Sequence, residues 1–110
     1  MKQYVIDGFR LEEYQKLKAY LGQYLKSSAI SGVYWLKMEQ EILTPLQKMH
    51  TDCHPHVVAL MLEETHLSCE FLVRVEKKIK CDCMAYAIRE QRDWIMDQAD
   101  AILEKLEIHI

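Results

Sequence analysis

The sequence predicts an α+β domain of two layers, in which two main helices pack on one face of a mostly antiparallel sheet. Near both ends of the chain, apolar residues recur every three or four positions, which is the period of an amphipathic helix. Between these stretches the period is two, which is typical of half-buried strands. The 110 residues, half of them hydrophobic, have the size of one domain, so we expect a single unit over residues 1–110.

Composition excludes several classes of protein. The chain is too apolar for a disordered protein and, with 28% charged residues, too polar for an integral membrane protein. A net charge of −3 argues against nucleic-acid binding, and no apolar run approaches the roughly 18 residues that span a bilayer. The first residues lack a signal-peptide pattern. We therefore expect a cytoplasmic protein whose four cysteines are thiols or metal ligands rather than disulfides.

The N-terminal third is predicted to contain a strand over residues 1–6, a helix over 9–25 and a strand over 33–36. The apolar face of this helix consists of Leu11, Tyr14, Leu17, Leu21 and Leu25. If both strands lie in one sheet, the unit implies a right-handed parallel crossover. Residues 33–49 also fit a helical stripe, so their secondary structure stays open at this point.

Two further helices have clear sequence signals. A short helix is predicted to begin at Pro45, because Thr44 can cap it and Gln47 stands at its third position. The C-terminal helix is predicted over residues 89–106, with carboxylates along its solvent side. Its apolar face consists of Ile88, Ile95, Ala99, Ile102 and Leu106.

Three strands joined by short turns are predicted over residues 56–63, 67–75 and 79–86. A two-residue first turn and a three-residue second turn place His56, Val73 and Cys81 in one row across the inner face of this meander. Both turns put the same residues of the middle strand on the same face, and this agreement supports the pairing.

Cysteine and histidine residues suggest a metal site. Residues 50–56 contain five possible metal ligands, and Cys81-Asp82-Cys83 adds two thiols. Zinc prefers these residue types, and the candidate ligands are Cys53, His54, His56 and Cys81. The predicted register separates His56 from Cys81 by two strands, about 9.6 Å, so shared binding requires the loop to fold over the sheet. Cys69 and Cys83 are predicted to be core residues instead.

The outer face of the meander is more apolar than a solvated face should be. The residues that cause this are Val57, Ala59, Met61, Leu72, Met84 and Tyr86. Either residues 33–49 cover this face, or a second copy of the chain does, since most soluble oligomers are two-fold dimers. Basic residues are concentrated at the tip of the hairpin formed by the second and third predicted strands, where we expect them to prevent aggregation rather than to bind an anion. These residues are Arg74, Lys77, Lys78 and Lys80.

No phosphate-binding loop, HExxH or GxSxG motif is present. Cys53 with a neighbouring histidine and Asp52 is the one set that resembles a nucleophile with its base, and adjacent side chains rarely face each other. The leading hypothesis is therefore a small non-catalytic binding or assembly module that needs no cofactor and is homodimeric through the apolar sheet face. The alternative is a metal- or thiol-dependent protein, with zinc as the candidate metal, that uses residues 50–56 with Cys81.

Overall fold

The computed structural model describes residues 2–109, which form a seven-stranded, mostly antiparallel sheet and three helices. This architecture confirms the predicted α+β class. In chain order, the elements are β1 (Gln3–Asp7), α1 (Leu11–Tyr24), β2 (Lys26–Ser27), β3 (Val33–Lys37), α2 (Pro45–Met49), β4 (His56–Leu62), β5 (His66–Glu70), β6 (Leu72–Val75), β7 (Ala85–Tyr86) and α3 (Arg89–Lys105). Within the described range, no helix is long and apolar enough to cross a bilayer.

The central strand of the sheet is β4, which pairs with β3 on one side and with both β5 and β6 on the other. The predicted first turn is confirmed, because Leu60 lies opposite Cys69. Farther along, the register slips by two residues near Phe71, so His56 faces Val75 rather than Val73. The inner and outer faces are unchanged, because a slip of two residues preserves the alternation of side chains.

The predicted strand over residues 79–86 is wrong for most of its length. Only β7 pairs with β6, with Val73 opposite Ala85 rather than Cys81. The backbone N–H of Lys78 donates to the carbonyl of Val75, and the chain then leaves the sheet. The alternating residues of this segment resemble a strand, but its charged side chains and the exposed Ile79 have no partner strand to pack against.

The predicted parallel crossover between the first strand and Val33–Lys37 is also wrong, because β1 and β3 run antiparallel within the sheet. The cause is the short strand β2, which forms a hairpin with β3 and adds one reversal of direction. The first strand after α1 is thus β2, which runs parallel to β1 but lies at the opposite edge of the β1-β5-β4-β3-β2 path. Residues 33–49 are a strand followed by turns and α2, not one long helix.

Both main helices pack on the inner face of the sheet. Leu17 and Leu21 of α1 and Ile95 of α3 are fully buried in one core with Val58 and Leu60 of β4. Burial of each such side chain contributes about 1.5–3 kcal/mol. Most of the predicted apolar faces are therefore confirmed. The exceptions are Leu11 and Ile88, which stand at the helix starts and are exposed.

The predicted interface residues on the outer face differ in exposure. Val57 and Ala59 are buried, since they lie on the central strand between the longer side chains of neighbouring strands. Met61 and Leu72 are half-buried and Tyr86 is exposed, whereas Met84 lies in the loop before β7. The segment after β3 does not cover this face, because Met38 and Leu43 belong to the core on the helix side.

Candidate metal centre

Two loops that carry cysteine and histidine residues meet at one end of the sheet. The first residues of β4 pair antiparallel with the last residues of β6, with His56 opposite Val75. The loop that precedes β4 therefore lies beside the loop that follows β6. Antiparallel pairing thus brings residues 50–53 close to residues 81–83, although about 30 residues separate them along the chain.

The first loop is positioned by helix α2. The predicted capping box is present: the N–H of Gln47 donates to Thr44 Oγ1 at 3.3 Å, and the N–H of Thr44 donates to Gln47 Oε1 at 3.0 Å. A single 3₁₀ turn, Thr51–Cys53, follows the helix, and the N–H of Cys53 donates to the carbonyl of His50 at 2.9 Å. Residues three apart on a 3₁₀ turn eclipse each other, so His50 and Cys53 present their side chains in the same direction.

The second loop folds as a tight turn from Cys81 to Met84, in which the N–H of Met84 donates to the carbonyl of Cys81 at 3.0 Å. The sulfur atoms of Cys81 and Cys83 lie 3.5 Å apart across this turn. A strand would have kept them about 6.6 Å apart along its axis. The turn thus brings the two sulfurs of a Cys-x-Cys sequence close enough to bind one ion.

The four ligand atoms of His50, Cys53, Cys81 and Cys83 all lie within 4.8 Å of one another, so this group could hold a metal ion. We call it the His/Cys cluster. The Cys53 and Cys81 sulfurs are 3.6 Å apart, and Nδ1 of His50 lies 3.3 Å from the Cys81 sulfur and 3.9 Å from the Cys53 sulfur. Tetrahedral zinc–ligand bonds give edges of about 3.8 Å between sulfurs and about 3.6 Å between nitrogen and sulfur. Four of the six edges of the cluster, at 3.3–3.9 Å, are close to these values.

All four cysteines of the chain are free thiols. The sulfur–sulfur distances of 3.5 and 3.6 Å in the His/Cys cluster are far longer than a disulfide bond of about 2.05 Å. Cys69 is buried in the main core, as predicted, and lies outside the cluster. Burial raises the pKa of the Cys69 thiol to about 12.

Charge and hydrogen bonding differ among the cluster thiols. A hydrogen bond from the backbone of Cys83 lowers the pKa of the Cys81 thiol, whereas burial raises the pKa of the Cys83 thiol. Lys78 Nζ donates to the Cys53 sulfur at 3.3 Å and to Asp52 Oδ2 at 3.0 Å. The hydrogen bond from Lys78 lowers the pKa of the Asp52 carboxyl. A cation therefore stands against one side of the cluster.

Buried polar side chains hold the Cys81–Met84 turn against the rest of the molecule. Gln47 Nε2 donates to the carbonyl of Cys83 at 3.1 Å. Gln91, in the first turn of α3, donates from Nε2 to Gln47 Oε1 at 2.9 Å and to the carbonyl of Ile42 at 3.0 Å. Both glutamines are almost fully buried. A buried amide that lost these partners would reduce the stability of the fold by about 1–3 kcal/mol. The hydrogen bonds of the two glutamines therefore fix the turn relative to α2 and α3.

His56 is fully buried behind the cluster, with Nε2 at 3.3 Å from the Cys83 sulfur. Its Nδ1 atom has no hydrogen-bond partner among residues 2–109. Burial lowers the pKa of this imidazole, which favours its neutral form. Since a buried Nε2–H can donate to a thiolate, His56 is suited to support Cys83 rather than to replace it as a ligand.

Of the four ligands expected from sequence, Cys53 and Cys81 belong to the His/Cys cluster, whereas His54 and His56 lie outside it. His54 Nε2 lies 2.9 Å from the carbonyl of Gln47. The other two cluster members are His50, which the sequence offered among five possible ligands, and Cys83, which was predicted to be a core residue. Cys83 is indeed buried, but in a small separate group with Cys53 and Val75.

The spacings His50-x-x-Cys53 and Cys81-x-Cys83 are the sequence signal that points to this ligand set. Both are short enough to fit on a single turn, and the structure places each pair on one. No protein-family model, curated protein or solved structure matches the chain.

Proposed function

We propose that this protein is a zinc-binding, non-catalytic module in which His50, Cys53, Cys81 and Cys83 hold one structural Zn²⁺. The observation that carries the proposal is the convergence of these four ligand atoms within 4.8 Å. Three sulfurs and one imidazole nitrogen are a ligand set that zinc prefers, whereas calcium and magnesium require oxygen ligands. Thiolate-bound iron is the main competitor for such a set.

A structural role is favoured over a catalytic one because the protein supplies all four ligands of a tetrahedral ion. Catalytic zinc sites keep one position open for water or substrate, and they commonly have three protein ligands. Two of the sulfurs, those of Cys53 and Cys83, belong to buried residues. The ion would join the loop before β4 to the loop after β6, and its binding energy would stabilise the fold.

Metal content tests the proposal. Protein without a histidine tag, prepared in the presence of zinc and desalted, is expected to contain about one zinc per chain by mass spectrometry of the metal. Cys53→Ser should lower this value strongly, because it removes one ligand. Cys69→Ser is the matched control, since Cys69 is buried in the main core away from the cluster, and it should leave the zinc content unchanged.

The contrary result is also well defined. Less than about 0.1 zinc or iron per chain in the folded wild-type protein would overturn the proposal. One iron per chain in place of zinc would keep the ligand set and change the metal.

A second candidate function, assembly through the outer sheet face, is favoured by the position of the helices. Both main helices and Met38 pack on the inner face. The outer face keeps Val5 and Tyr86 exposed and Met61 and Leu72 half-buried. We propose that two copies of the chain associate through this face, and this role is compatible with a structural zinc at the end of the sheet.

A further inference from the structure

Lys78 is a cationic side chain that forms a hydrogen bond with a sulfur of the His/Cys cluster. Its ammonium donates to the Cys53 sulfur at 3.3 Å and to Asp52 Oδ2 at 3.0 Å. Asp52 lies within the 3₁₀ turn that carries Cys53, so its carboxylate holds the ammonium beside the sulfur. Lys77 is the adjacent residue and is exposed.

The charge of the proposed zinc site explains why a cation belongs there. Three thiolates carry three negative charges, the neutral imidazole of His50 carries none, and Zn²⁺ carries two positive charges. The complex therefore has a net charge of −1, which is concentrated on its sulfurs. A neighbouring ammonium neutralises that charge, and a hydrogen bond to an ionised sulfur is stronger than one to a neutral thiol.

We infer that Lys78 is a positioning residue that neutralises the zinc–thiolate centre and protects the Cys53 sulfur from electrophiles. The inference rests on the proposed function, since it requires bound zinc. A hydrogen bond from the ammonium draws electron density from the sulfur lone pairs. The sulfur is then less nucleophilic, and the centre behaves as a structural site rather than as a reactive one.

The experiment compares three variants of the zinc-loaded protein. Lys78→Met removes the ammonium and keeps most of the alkyl chain. Lys78→Arg keeps the charge, and Lys77→Met removes one positive charge from the next position. Zinc affinity is measured by competition with a chromogenic chelator. Zinc release is then followed during treatment with iodoacetamide, in which a carbon–sulfur bond forms at the thiolate and iodide leaves.

We expect Lys78→Met to bind zinc about tenfold more weakly and to release it faster during alkylation, because loss of an outer partner of a metal ligand typically has an effect of this size. In the cobalt-substituted protein, the sulfur-to-cobalt charge-transfer band should move to longer wavelength, a change that loss of packing alone would not produce. Lys78→Arg should restore most of the wild-type behaviour, and Lys77→Met should match wild type.

Failure of the inference and failure of the proposed function have different signatures. A wild-type protein that binds no zinc overturns both. If wild type binds zinc and Lys78→Met is indistinguishable from Lys77→Met, only the role of Lys78 is overturned. If Lys78→Arg is as weak as Lys78→Met, neutralisation of charge is overturned as the cause.

Discussion

His50 and His54 make different contacts although both precede β4 and lie four residues apart. Nδ1 of His50 points at two cluster sulfurs, whereas His54 Nε2 lies beside the carbonyl of Gln47. The direction of each ring follows from the local backbone. His50 stands at the start of the 3₁₀ turn and shares its side with Cys53, and His54 follows that turn in an extended conformation.

These two histidines therefore provide a test of the ligand set. His50→Ala should lower the zinc content of the purified protein and weaken zinc affinity strongly, because it removes one of four ligands. His54→Ala should leave both values near wild type. Metal analysis and chelator competition on the two variants measure this difference. Loss of zinc in His54→Ala with retention in His50→Ala would favour the ligand set first expected from sequence.

For individual residues, the sequence alone identified cysteine and histidine as the residue types of the site, and it identified Cys53 and Cys81 as members of the cluster. Cys83 was assigned to the core because its alternation with Lys80, Asp82 and Met84 resembles a strand. The same spacing also fits a two-ligand turn. The choice between a strand and a turn depends on whether a partner strand exists for this segment. The presence of a partner strand depends on residues that are distant in the chain.

Among the elements, the loop between β6 and β7 is the one that we expect the proposed metal to stabilise most. It contains Lys77, Lys78 and Lys80 and the exposed Ile79, so little apolar burial holds it in place. It is held mainly by polar contacts, which are the Cys81–Met84 turn, the bond from Gln47 to the carbonyl of Cys83, and the bonds from Lys78 to Asp52 and Cys53. Strands β4 and β5, in contrast, belong to the main core.

Hydrogen exchange should reveal this difference. Amides of residues 76–84 are expected to exchange quickly in metal-free protein and several-fold more slowly after zinc is added. Amides of His56–Leu62 and His66–Glu70 should be protected in both states, because core packing holds them. Equal exchange of residues 76–84 with and without zinc would show that the metal does not order this loop.

Prediction succeeded for elements whose signals are local. The periods of α1 and α3, the capping residues of α2 and the two-residue turn before β5 are all properties of neighbouring residues. Prediction failed where pairing partners decide the outcome. The two-residue strand β2 has too little pattern to be recognised, yet it reverses the direction of β3 relative to β1.

The whole molecule separates its two proposed functions in space. The His/Cys cluster lies at the end of the sheet where β4 begins, and the apolar outer face lies opposite the helices. Met84 packs against the buried group that contains Cys53 and Cys83, whereas Met61 lies on the outer face away from the cluster. Zinc binding and self-association should therefore be separable by mutation of Met61.

Light scattering tests the assembly proposal. At high micromolar concentration, wild-type protein should have about twice the chain mass of 13.1 kDa. Met61→Glu places a charge on the outer face and should shift the mass to that of a monomer while zinc content is unchanged. Leu11→Glu is the matched control, since Leu11 is exposed on α1, on the helix side. A wild-type monomer across the concentration range would contradict the assembly proposal.

X-ray absorption at the zinc edge reports directly on the proposed binding of one zinc ion by three sulfurs and one imidazole nitrogen. The zinc-loaded wild-type protein should show three sulfur neighbours at about 2.3 Å and one nitrogen neighbour at about 2.0 Å. A first shell dominated by nitrogen and oxygen, with one sulfur or none, would contradict it.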